Sequence, residues 1–155
     1  MSSIKSQGTA LHWATGDTTN SKVRAAQGIT GLGGAADQID TTDLSHSERE
    51  FEKGLGNPGQ VTVPIIIKRG AAEHEALLNM KETGEKVSWG VYGSGGVTAP
   101  TTVGGEMQEV IDRVSARFMG YVSDINIDIN GNDVWRGSIT IQRSGPVLWD
   151  LLVSA

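Results

Sequence analysis

The chain has 155 residues, enough for one domain with a real core. Its hydrophobic fraction of 37% is diluted by 21 glycines, which points to many turns. A net charge of −5 excludes a basic nucleic-acid footprint, the absence of cysteine excludes disulfides and thiolate metal sites, and no run approaches the ~20 apolar residues of a membrane helix.

Residues 1–8 are polar and read as an N-terminal arm. Thr9 to Ala14 is a short strand ended by Gly16-Asp17, and Val23 to Thr30 is a second, weaker one. Gly31-Leu32-Gly33-Gly34-Ala35-Ala36 matches a dinucleotide-binding glycine pattern. The polar Asp37-Gln38-Ile39-Asp40 that follows has no helical period, so the glycines read as a turn between strands.

Asp37 to Thr42 alternates as a strand, and Gln60 to Lys68 is an apolar run. Between them lies a charged, Ser-rich segment and the turn signal Gly54 to Gly59, so the two strands are joined by a loop far beyond the ~2–5 residues of a hairpin. Six acids (Asp37, Asp40, Asp43, Glu48, Glu50, Glu52) against Arg49 and Lys53 place −4 of the chain's −5 here. A solvated surface loop accounts for the charge. Leu44, Phe51 and Leu55, spaced among the acids, also fit a partner surface. Pro64 cannot donate to a ladder, so it marks an edge or a bulge.

Ala71 to Glu82 is the one helix: His74, Leu77, Leu78 and Lys81 share a stripe that Met80 widens, and Gly84 stops it. Lys86 to Tyr92 is a strand with Val87, Trp89 and Val91 on one face. Residues 93–105 read as a loop, and 106–114 have helical spacing but read as loop running into the strand Ser115 to Ile129. Ile125, Ile127 and Ile129 alternate with Asn126, Asp128 and Asn130, and an Asn130-Gly131-Asn132 turn leads to Trp135, Ile139 and Ile141, alternating with Arg136, Ser138, Thr140 and Gln142. One face of this hairpin is apolar and the other wet, which suits a sandwich or the wall of an aqueous channel. Ser144-Gly145-Pro146 ends the sheet, and Val147 to Val153 is an apolar tail that caps the core or docks on a neighbour.

Nothing in the sequence forms a catalytic constellation. His12, His46 and His74 lack metal-site spacing, and no nucleophile elbow appears. Trp13, Trp89, Trp135 and Trp149 read as core and interface packing, with Trp89 and Trp135 on apolar strand faces; a sugar-binding platform is the alternative.

The order of features resembles the tail tube proteins of long-tailed, non-contractile, lambda-like bacteriophages. The likeness rests on the loop Thr41 to Phe51 with Gly54 to Val61, the helix segment Glu73 to Leu78, and the closing strands Phe118 to Ser123 and Gly137 to Ile141 ending at Ser144-Gly145-Pro146. It implies a mainly β chain, an antiparallel β-sandwich or half-barrel with one flanking α-helix and a long inter-strand loop, in a single domain with an arm at 1–8, a stacking loop at 43–59, a helix at 71–82 and a C-terminal arm at 147–155. It further implies a non-enzymatic structural subunit that needs no cofactor or metal and partners itself, as homohexameric rings stacked into a tube. Leu44, Glu48, Arg49, Phe51 and Leu55 would then reach the adjacent ring, and Asn126, Asp128, Arg136, Ser138, Thr140 and Gln142 would face the lumen. A neighbouring subunit would cover the sheet edge near Pro64. The resemblance also implies tape measure, tail tip (distal tail) and tail terminator partners, DNA passing the lumen without specific binding, and no membrane insertion. The location would be the virion, after synthesis in the host cytoplasm. A secretion-system tube subunit of related fold and a monomeric carbohydrate-binding β-sandwich are the alternatives.

Overall fold

Alternating β-branched and aromatic residues build one large antiparallel sheet in the computed structural model, which describes residues 7–24, 26–33, 36–41, 51–56, 59–94, 96 and 98–152, the strand residues 36–39 and 51–56 as backbone alone. The strands are β1 (Ala10–Ala14), β2 (Asn20–Lys22), β3 (Ala36–Asp40), β4 (Phe51–Gly56), β5 (Gln60–Ile66), β6 (Val87–Tyr92), β7 (Thr102–Val103), β8 (Glu106–Met107), β9 (Ser115–Asp128) and β10 (Arg136–Asp150), with helix α1 (Ala72–Thr83) between β5 and β6. The large sheet has the order β2-β1-β6-β9-β10-β5, while β3-β4 and β7-β8 are separate two-stranded sheets.

The large sheet curls. Leu11 and Trp13 of β1, Trp89 of β6, Phe118 and Val122 of β9, Ile139 and Ile141 of β10, and Val61, Val63 and Ile65 of β5 all share one core, with Leu77 of α1 pressed into it. A flat sheet would hold β1 and β5 far apart; only curvature brings the two sides into one cluster. Trp13 and Trp89 are register partners with ring centroids 5.9 Å apart, and the Trp89 indole N–H donates to the Gly120 carbonyl at 3.1 Å. The curl brings the segment after β2 onto the far side of β5. Thr30 and Thr62 exchange both backbone hydrogen bonds (3.0 and 2.9 Å), and the Gln27 N–H donates to the Pro64 carbonyl at 2.8 Å. The edge expected to be open at Pro64 is therefore covered by the chain itself. Pro64 contributes its carbonyl there and needs no N–H.

The opposite face of β1 and β6 carries a second, smaller cluster of Ala14, Tyr92, Met107 and Val110, covered by β7, β8 and the residues after them. So 93–105, expected as loop throughout, supplies β7, and the ambiguous 106–114 supplies β8 and an isolated bridge before β9. The Tyr92 hydroxyl donates to the Gln108 carbonyl at 2.7 Å, His12 meets the Tyr92 ring edge-on at 5.7 Å, and the Arg113 guanidinium lies 5.7 Å from the ring centroid. Burial pushes the Tyr92 hydroxyl up to about 12 and lowers His12 from its usual 6.5. The unfolded chain thus ionises Tyr92 first as pH rises and protonates His12 first as pH falls. Stability should be fullest between about pH 6.5 and pH 10, and should decline on either side. Denaturant titrations across pH check this: Tyr92→Phe should flatten the alkaline limb, and His12→Asn the acid limb.

Helix α1 starts one residue later than its pattern predicts and ends at Gly84, whose left-handed conformation (φ 67°) lets its N–H bond the Met80 carbonyl at 2.9 Å. His74 and Leu77 are buried, but Leu78 points outward, 100° around the helix from Leu77. His74 ties the helix down: its Nδ1 accepts from the Lys68 N–H at 3.2 Å, so Nε2 carries the proton toward the Arg24 carbonyl at 2.8 Å.

Three further expectations change. β10 does not stop at Ser144-Gly145-Pro146: a register shift between Ser144 and Leu148 takes Pro146 out of the ladder, and pairing with β9 resumes at Leu148↔Arg117 and runs to Asp150↔Ser115. The turn between β9 and β10 is wider than Asn130-Gly131-Asn132, because the strands end at Asp128 and resume at Arg136. That leaves Ile129 and Trp135 outside the ladder and exposed, so Trp135 does not join the apolar face. Finally, β3 pairs with β4, not with β5, so Phe51 to Gly56, expected as loop, is strand.

Candidate tube interfaces

Three surfaces are candidates for contact. The first is the wet face of β5, β9 and β10. Register places Arg136 opposite Asp128, Ser138 opposite Asn126 and Thr140 opposite Asp124 on one side, and Thr140 opposite Thr62 and Gln142 opposite Gln60 on the other. Directly paired residues point the same way, so the six lumen-face candidates Asn126, Asp128, Arg136, Ser138, Thr140 and Gln142 lie together on one polar surface. Asn126, Asp128 and Arg136 are exposed, and the other three are half-buried. Sequence reasoning missed the rest of this face: Gln60, Thr62 and Asp124 join it through register alone, and the β-bulge at Ser123 brings Tyr121 opposite Gln142.

Its charge is lopsided. Arg136 gives a bidentate pair to Asp133 (Nε to Oδ2 2.7 Å, Nη2 to Oδ1 3.3 Å), which holds the Asp133 carboxyl below its usual range and raises the guanidinium. The one arginine of the face is thereby neutralised locally, while Asp124 meets only Lys81 at 3.7 Å, an exposed pair of little strength.

The second surface is the β3–β4 hairpin, in which Asp40 pairs Phe51 and Ala36 pairs Gly56. It forms its own two-stranded sheet apart from the large one, an arrangement only marginally stable in isolation. Phe51 and Leu55 lie on β4; Leu44, Glu48 and Arg49 lie outside the described residues. The hairpin's two roots are clamped by Arg143. Its guanidinium donates to the Gly33 carbonyl and its backbone N–H to the Gly59 carbonyl at 3.1 Å. Arg143 and Arg113 are buried arginines; Arg113 donates to the carbonyls of Gly93 (2.9 Å), Tyr92 and Thr98 (both 3.2 Å), which pins the loop before β7. Backbone carbonyls are invisible to residue-type patterns, so no sequence signal marks these sockets.

The third surface is apolar and lies at the two ends of β10, where Trp135 and Trp149 are exposed. The described residues contain no cluster of three or more metal-ligating side chains, and no described helix is long and apolar enough to cross a membrane. Trp13 and Trp89 are in the core and Trp135 and Trp149 at opposite ends of a 15-residue strand, so the four do not make a sugar platform.

Comparison with known proteins agrees with this geometry. A family model described as phage tail tube, TTP, lambda-like matches residues 2–153. Structural protein 3 of Pseudomonas phage PAJU2 is 37% identical over 154 residues, covering 94% of this chain and 93% of that protein. At the level of fold, the tail tube of SPP1 aligns with a TM-score of 0.70 at 15% identity, over 96% of this chain and 79% of that one. The sheath/tube terminator of the PVC extracellular contractile injection system aligns with a TM-score of 0.71 at 13% identity, over 97% and 98%. With the family model spanning nearly its whole length, this chain belongs to the lambda-like phage tail tube family and is a structural subunit of a tube.

Proposed function

We propose that six copies form a ring and that rings stack into the tail tube, the conduit through which DNA leaves the virion, with the wet face of β5, β9 and β10 lining the lumen. The observation that carries this reading is that face itself: polar and net acidic along β9 and β10, on strands whose opposite face packs the core. Like charge keeps a polyanion from adhering, so DNA slides through without specific binding. Tape measure, tail tip and tail terminator proteins would meet the lumen and the two tube ends. Converting Asp124 and Asp128 to lysine should leave tubes intact and slow DNA ejection by at least tenfold, read by dye uptake after receptor triggering. Unchanged ejection would take the lumen role away from this face.

The β3–β4 hairpin and the acidic residues at its tip would reach the adjacent ring, with Leu44, Glu48, Arg49, Phe51 and Leu55 as its contact set. Replacing residues 42–50 by Asn-Gly should keep the fold and the six-chain ring in native mass spectrometry and abolish longer stacks. Stacks of native length from this variant would remove the hairpin from the inter-ring contact.

A further inference from the structure

β10 is 15 residues long, and its ends lie opposite Asp128 and Ser115 of β9, which at ~3.3 Å per residue sets them at most about 43 Å apart. Each end carries exposed apolar side chains. At the turn end stand Ile129, Val134 and Trp135, 62%, 49% and 53% exposed. At the other end stand Trp149 and Leu151, 57% and 54% exposed, beside a groove of about 150 Å³ floored by Leu32, Val91, Val114 and Ala116. The groove's walls are almost wholly apolar, which suits an apolar side chain. The far end is also shaped. Leu152 sits at φ 58°, rare for a side-chain-bearing residue, with its N–H bonded to Asp150 Oδ1 at 3.1 Å, and that turn follows directly on Leu151. Exposed tryptophans at both ends of one strand are a liability in a monomer and mark contact surfaces.

We infer that these two ends are one axial interface: the Ile129–Trp135 turn of one copy seats in the Trp149/Leu151 groove of a copy in the next ring. The inference rests on the tube reading above and adds its second inter-ring contact, made by the lumen strands themselves and independent of the β3–β4 hairpin. Position decides the occupant. Two patches on the same end would match back to back and close into a dimer, whereas patches at opposite ends of one strand match only head to tail, the heterologous arrangement that runs on from copy to copy and, where its rotation does not close a ring, builds an open stack. The groove is apolar, and the turn end presents an exposed apolar side chain in Trp135.

The chain has no cysteine, so a Val134→Cys/Leu151→Cys double variant gives an unambiguous crosslink. Oxidised during assembly, it should run on denaturing gels as a ladder of covalent chains, while either single variant stays monomeric. Tubes without a ladder, a ladder that stops at six chains, or dimers from a single variant, would overturn the inference. If the native chain forms neither rings nor tubes, the tube reading beneath it falls as well. Should the double variant fail to fold, tryptophan emission of the native chain decides instead. It should shift to the blue on assembly, and the shift should vanish in Trp135→Phe/Trp149→Phe, since Trp13 and Trp89 are already buried. An unshifted emission from assembled tubes would overturn it equally.

Discussion

Trp89→Ala should destabilise the subunit by about 3–5 kcal/mol, the range for emptying a buried tryptophan site. Trp89 is fully buried, stacks on Trp13, and its indole N–H is satisfied by the Gly120 carbonyl. The substitution removes the packing of a central strand against both neighbours and leaves that carbonyl without its donor. For a chain of this size each kcal/mol moves Tm by about 2–4 °C, so a fall on the order of 10 °C is expected. Against a typical total of about 5–15 kcal/mol, such a subunit would fold poorly at 37 °C and assemble less. Trp135→Ala is the control: 53% exposed and outside the ladder, it should change monomer stability by less than about 0.5 kcal/mol. Urea unfolding of both variants checks the pair, and a loss below 1 kcal/mol at Trp89 would contradict the assigned core.

Gly31→Ala should cost on the order of 3 kcal/mol although Gly31 lies in no strand. Its φ is +92°, and an added Cβ would sit 1.9 Å from the Gln60 carbonyl oxygen. Backbone cannot yield as a side-chain tip does, so the segment must lift off β5. The positive φ costs about 1–3 kcal/mol for a non-glycine residue, and the displaced Thr30–Thr62 pair adds roughly 0.5–1.5 kcal/mol per hydrogen bond. Gly33→Ala, two residues on with open space at its Cβ, should be near neutral. Amide exchange is the sharper readout: Thr30 and Thr62 should lose protection in Gly31→Ala and keep it in Gly33→Ala. Retained protection in both would mean that this segment does not close the sheet.

These two sites show what the sequence carried and what it hid. Local pattern was enough for β1, β6, β9 and α1, because alternation and the i, i+3 stripe are written within a dozen residues, and Gly84 announced the helix end. It was also enough to put Asn126, Asp128, Arg136, Ser138, Thr140 and Gln142 on one polar face, since a strand's wet face follows from its own period. Pairing was not legible. That Gln27 and Thr30 bond β5, that β10 resumes beyond Pro146, and that β4 turns back on β3 are facts about residues 11 to 37 apart, set by sheet curvature and bulges that leave no local mark. Trp135 misled because the period of the isoleucines continues past the point where the ladder stops. The buried Arg113 and Arg143 were hidden for another reason: their partners are carbonyls, which every residue has.

The edge at Pro64 had seemed to require a neighbour. With that edge sealed from within, the demand for other copies falls on the β3–β4 hairpin, the wet face and the two ends of β10. Lateral contacts within a ring and axial contacts between rings should therefore be separable by mutation, with ring formation surviving changes at the hairpin tip or at Trp149.

Negative-stain electron microscopy of the concentrated native protein tests the tube assignment most directly. Six-fold rings and tubes of one uniform diameter, each with an open channel, are the predicted result. A protein that stays monomeric at every concentration, even when offered tail tips as nuclei, would contradict it.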